Sequence, residues 1–106
     1  MKTIPRSLEM FRKILNARGH ELRDLSYHEI EQLQDSPIEH LVIDSRPATI
    51  ATIVQLMPDA SLRVLLQGFM NARLFTILKH VALDGFYKYP DGTVKPLPDN
   101  EFYDFD

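Results

Sequence analysis

From Ser7 onward, Leu8, Phe11 and Leu15 recur at helical spacing with Met10 and Ile14 beside them, while Glu9, Arg12 and Lys13 take the other side. The spacing predicts an amphipathic helix with Gly19 as its C-terminal stop. Ser26-Tyr27-His28-Glu29 follows as a capping-box pattern. In such a box the Ser hydroxyl and the Glu carboxylate reciprocally satisfy unpaired backbone donors. Ile30 and Leu33 form the buried side of this short second helix, and Pro37 disfavours helical geometry at Ser36, which ends it.

After Ile38 the period changes. Leu41-Val42-Ile43 and Thr49-Ile50-Ala51-Thr52-Ile53-Val54 are rich in β-branched residues and read as two strands. Asp44-Ser45-Arg46-Pro47 forms the turn between them, and Pro58-Asp59-Ala60-Ser61 a second turn leading into Leu62–Met70. That last run reads as a third strand; its rival is a helix starting at Asp59, because Leu62, Leu65, Leu66, Phe69 and Met70 also fit a helical stripe. Residues 72–83 fit strand and helix almost equally. Val81–Tyr89, passing through Pro90-Asp91-Gly92 into Thr93-Val94-Lys95, is a strong hairpin signal, and Pro96 and Pro98 stop further pairing. The pattern therefore predicts an α+β fold: two N-terminal helices packed on an antiparallel sheet of about four to five strands. Residues 1–98 form a single domain and 99–106 an acidic aromatic tail.

Composition supports one folded domain. The chain has 106 residues, 44% of them hydrophobic and 25% charged, with no cysteine. Such a balance is that of a globular chain, and a domain of this size can bury one core without metal or disulfide staples. Missing cysteines exclude thiol catalysis and cysteine-ligated zinc, and agree with a cytoplasmic location. No run reaches the roughly 18 apolar residues of a spanning helix, and the N-terminal segment lacks the apolar stretch of a signal peptide.

Candidate chemistry is sparse. His20, His28, His40 and His80 include no pair at the i, i+4 spacing that brings two imidazoles to one metal, so no metal is expected. Every serine sits where a cap or a turn explains it, and the four glycines form neither a phosphate loop nor a dinucleotide fingerprint. No cofactor is expected. An enzymatic alternative rests on His80, Tyr87 and Asp84 in acid–base chemistry, with Lys88 nearby. A nucleic-acid alternative rests on Arg6, Arg12, Lys13 and Arg18 of the first helix, set against a net charge of -3 for the chain.

Charge polarity is the sharper signal. Residues 1–24 are net basic, whereas the tail sets Phe102, Tyr103 and Phe105 among Asp99, Glu101, Asp104 and Asp106 with no base. Ring anchors among carboxylates suit docking into a basic, partly apolar groove on a partner protein; the competing reading folds the rings back onto the domain's own sheet. The expected function is a non-enzymatic protein-binding module, most sharply an inhibitor or immunity-type protein occluding a cationic enzyme such as a nuclease. Its contact residues are Glu101, Phe102, Tyr103, Asp104, Phe105 and Asp106, with Asp84 and Asp91 as rim charges. An exposed sheet edge also offers a route to a homodimer.

Overall fold

The computed structural model describes residues 6–34, 36–71 and 79–98, with the backbone alone at 71 and 79–82. Its elements are α1 (Arg6–Arg23), α2 (Tyr27–Glu31), β1 (Glu39–Ile43), β2 (Arg46–Leu56), β3 (Leu62–Asn71), β4 (Lys79–Lys88) and β5 (Val94–Pro96). The strands form one antiparallel meander in the order β1-β2-β3-β4-β5, and the helices lie on one face of it. This is the α+β architecture expected, and the run after Ala60 is a strand rather than a helix.

Strand parity decides which residues meet the helices. Leu62, Val64, Leu66, Gly68 and Met70 of β3 pair with Leu56, Val54, Thr52, Ile50 and Ala48 of β2, and alternate positions share a face. Under α1, Leu8, Phe11 and Leu15 pack with Ile43, Ala48, Ile50, Leu66 and Met70. Toward the other end, Ile30 of α2 packs with Val54, Leu62, Val64 and Phe86, bordered by Leu22, Leu25 and Tyr27. Phe11 is fully buried, and truncating such a ring to Ala typically costs about 3–5 kcal/mol. Gly68 lets it in: a Cβ there would stand 2.7 Å from Phe11 Cζ.

Gly19 does not stop α1. The helix runs on through it to Arg23, because the position is needed for close packing rather than termination. A Cβ at Gly19 would overlap the Asp84 carboxylate of β4, and bare backbone is what admits Asp84 to the helix surface. The end of α1 is instead secured by Lys88, only 5% exposed, whose Nζ donates to the Arg23 carbonyl at 3.2 Å. A lysine at the carbonyl end of a helix satisfies an unpaired acceptor and complements the helix dipole. The Ser26–Glu29 capping box forms as expected, with Glu29 N–H donating to Ser26 Oγ at 3.1 Å and Ser26 N–H donating to Glu29 Oε1 at 2.9 Å.

The first hairpin is tighter than its sequence suggests. Asp44 and Ser45 alone make the turn, at φ 52° and 65°, while Arg46 and Pro47 already belong to β2. Two consecutive left-handed residues match the twist of a two-residue hairpin. Pro47 pairs with Val42 of β1 and precedes the β2–β3 ladder, which starts at Ala48, so its missing N–H breaks no pairing with β3. Of the ambiguous stretch 72–83, positions 79–83 enter β4 and 72–78 lie outside the described residues.

Candidate partner-binding surfaces

Asp84 is partly buried on the helical side of the sheet. It faces the helices, where Arg23 Nη1 and Nη2 each donate to one of its carboxylate oxygens at 3.0 Å. Arg23 also donates to the Gly85 carbonyl at 3.2 Å and stands 4.8 Å from the Phe86 ring centroid. This cluster fastens the end of α1 to β4. Among the described residues, no buried side-chain polar atom lacks a hydrogen-bond partner.

Asp91 lies at the opposite extreme, exposed in the β4–β5 turn. Tyr89 N–H donates to the Thr93 carbonyl and Gly92 N–H to the Tyr89 carbonyl, both at 2.9 Å, and Thr93 N–H donates to Asp91 Oδ1 at 2.9 Å. The β2–β3 turn repeats this construction. Met57 N–H donates to the Ser61 carbonyl and Ala60 N–H to the Met57 carbonyl, again at 2.9 Å, with Ser61 N–H donating to Asp59 Oδ1 at 3.0 Å. Met57-Pro58-Asp59-Ala60-Ser61 and Tyr89-Pro90-Asp91-Gly92-Thr93 are thus two copies of one turn. Proline presets the first corner, the aspartate carboxylate holds the amide two residues on, and a left-handed residue closes the loop, Ala60 at φ 70° and Gly92 at φ 92°.

Because Leu56, Leu62 and Lys88 are register neighbours, both turns project from one end of the sheet. Tyr27 Oη, donating to the Ala60 carbonyl at 2.6 Å, brings α2 and its Glu29 to the same end. All three carboxylates there titrate below their ordinary values. The Ser61 hydroxyl, then its amide, lowers Asp59; the Thr93 hydroxyl, then its amide, lowers Asp91; the Ser26 amide, then its hydroxyl, lowers Glu29. Each oxygen accepts hydrogen bonds that favour the ionised form. Between the turns lies a shallow open cleft of about 370 Å³ lined by Met57, Pro58, Asp59, Ser61, Tyr87 and Tyr89. Lys95 Nζ stands 5.0 Å from the Tyr89 ring centroid, so this acidic aromatic end already accommodates one cation of the chain itself.

Other candidates do not converge. His80 and Tyr87 are seven residues apart in β4, about 23 Å along an extended strand, so the acid–base pair is not brought together. Among the described residues there is no cluster of three or more His, Asp or Glu suited to a metal. On α1, Arg12 and Lys13 are exposed, whereas Arg18 is engaged by Glu39 through Nε at 3.1 Å and Nη2 at 2.7 Å. No helix of the described residues is long and apolar enough to cross a membrane. Glu101, Phe102, Tyr103, Asp104, Phe105 and Asp106 lie outside the described residues.

Asp59 was not singled out by sequence. Its signal was present in the matching quartets Pro58-Asp59-Ala60-Ser61 and Pro90-Asp91-Gly92-Thr93, which share proline, aspartate, a small residue and a hydroxyl residue in order. No family model, curated protein or solved structure matches this chain.

Proposed function

We propose that the chain is a non-enzymatic protein-binding module for a partner with a basic surface, in its sharpest form an inhibitor or immunity-type protein that occludes a cationic enzyme such as a nuclease. The observation that carries this reading is the twin-turn end of the sheet, where Asp59 lines one cleft with the Tyr87 and Tyr89 rings and the Asp59, Asp91 and Glu29 carboxylates all titrate below their ordinary values. Rings supply contact area at low entropic cost, and carboxylates steer a basic partner and set its register. Asp84 has no part in this surface, because Arg23 already takes both of its oxygens. The carboxylates of Glu101, Asp104 and Asp106 add to the same sign of charge.

The test compares the intact chain with the Asp59→Asn/Asp91→Asn variant in affinity capture from native extract at physiological salt, followed by activity assays on the captured proteins. Asparagine still accepts the turn hydrogen bonds, so the variant removes charge and spares the fold. The expected result is a basic enzyme retained and inhibited by the intact chain, with binding weakened at least tenfold in the variant. Capture of the same proteins with equal affinity by both chains overturns the reading.

A further inference from the structure

The face of the sheet opposite the helices carries an apolar patch and has no described element across it. Strand register puts Ile53 of β2, Leu65 and Phe69 of β3 and Leu83 of β4 on that face. It carries no acidic strand residue among those described: Glu39 and Asp84 have the other parity and are paired to Arg18 and Arg23 on the helical side. Its charged row is basic, with Arg63, Tyr87 and Lys95 in register across β3, β4 and β5.

Burial on this face is uneven. Leu65 is 0% exposed and Leu97 6%, whereas Val42 at the β1 edge is 75% exposed. A leucine on an open sheet face keeps its outer methyls in water, and Leu65 does not. Leu97 supplies the start of its cover. A Cβ at Gly85 would stand 2.9 Å from Leu97 Cδ2 and 3.3 Å from Leu65 Cδ1, so Leu97 lies across β4 on the helix-free side. The chain therefore leaves β5 toward this face. Farther along is an open groove of about 410 Å³ lined by His40, Val42, Pro47, Thr49 and Phe69.

We propose that residues 99–106 dock on this face of their own chain, running from Leu97 over Leu65 toward the groove at Thr49 and Phe69. Length permits it. Thr49 lies two strands and four residues from Gly85, about 16 Å away, and eight extended residues reach up to about 26 Å. Charge favours the start of the path: Leu65 and Leu97 lie two residues along the chain from Arg63 and Lys95, and the segment has Asp99, Glu101, Asp104 and Asp106 with no base. Extended alternation gives Asp99, Glu101, Tyr103 and Phe105 one side, with the two rings at its far end, and gives Phe102, Asp104 and Asp106 the other. Tyr103 and Phe105 enter the groove, and the outward Asp104 and Asp106 give the covered face an acidic exterior. The docking does not depend on the partner reading, which rests on the twin turns.

The chain has no cysteine, so a nitroxide on Asp106→Cys is unique in the full-length protein. Methyl NMR signals are then read on both faces. The expected result is loss of the Thr49, Ile53 and Leu65 methyl signals while those of Leu8 and Leu22 persist, with recovery when Tyr103→Ser and Phe105→Ser are added. Persistence of the Thr49, Ile53 and Leu65 signals overturns the proposal. So does loss seen only when a spin-labelled chain is mixed with a separate isotope-labelled one, which makes a second copy the occupant. Asp59→Asn/Asp91→Asn leaves the pattern unchanged, so failure here and failure of the partner reading are separable.

Discussion

Replacing Gly19 by Ala sets a helix gain against a packing loss. In an exposed helix interior the change favours folding by about 1 kcal/mol, because alanine restricts the unfolded chain and favours helical geometry. Gly19 is buried, and its new methyl would overlap the Asp84 carboxylate and lie 2.8 Å from Arg23 Nη1. To relieve this, Asp84 must leave Arg23, giving up two charge-assisted hydrogen bonds of 3.0 Å. Such bonds contribute about 1.5–3 kcal/mol each when shielded. The pair keeps 27% and 20% of its side-chain surfaces exposed, so screening reduces the loss to about 2–3 kcal/mol in total. Subtracting the helical gain leaves Gly19→Ala destabilising by about 1–2 kcal/mol, or roughly 5–10 °C in Tm for a domain of this size.

Urea unfolding followed by circular dichroism measures the difference, and a double-mutant cycle identifies its origin. With Asp84→Ala as background the obstructing carboxylate is gone, and Gly19→Ala should reverse sign, stabilising by about 0.5–1 kcal/mol. Stabilisation of the otherwise unaltered chain by Gly19→Ala refutes the close-approach account. Equal destabilisation in both backgrounds places the obstruction somewhere other than Asp84.

Three further outcomes follow from the geometry. Ala60 holds φ 70° where the twin turn has Gly92, so Ala60→Gly should stabilise by a few tenths to about 1 kcal/mol and Gly92→Ala should destabilise, both read by thermal melting. Gly68→Ala pushes a methyl to 2.7 Å from Phe11 Cζ and 3.3 Å from Leu15 Cδ1, an overpacking worth about 1–3 kcal/mol that Phe11→Leu should partly relieve. Glu39 is lowered first by its hydrogen bond from Arg18. A carboxylate with a folded pKa below its unfolded one contributes fully above the ordinary glutamate range, and that contribution disappears as pH falls through the lowered value. Glu39→Gln should therefore flatten the acid limb of the stability profile and leave its slope above pH 7 unchanged.

Local signals were readable where one residue type decides the geometry. Ser26 and Glu29 cap α2 because both partners lie within one helical turn, and β-branched runs mark β1 and β2 because the pleated surface suits them. Gly19 reads as a stop in sequence because a glycine serves both helix termination and close approach, and only the position of Asp84, 65 residues later in the chain, separates the two. Turn boundaries at Arg46 and Pro47 shifted for a related reason: proline fits a turn corner and the start of a strand equally well.

Parity explains why the surface was harder to read than the fold. Asp84 and Tyr87 lie three residues apart in β4, and that odd spacing puts them on opposite faces of the sheet. Asp84 consequently meets Arg23 under the helices, while Tyr87 joins Arg63 and Lys95 in the basic row on the other side. A carboxylate on a strand is thus assigned to structure or to surface by register, which a single sequence leaves open. Turn carboxylates escape this ambiguity. Asp59 and Asp91 are placed by their own hydrogen bonds to the amide two residues on, and those bonds also keep them ionised. Because the same four-residue pattern occurs after β2 and again after β4, two alternate connections of a meander, both charges must emerge at one end of the sheet. The acidic end is a consequence of topology and turn chemistry together.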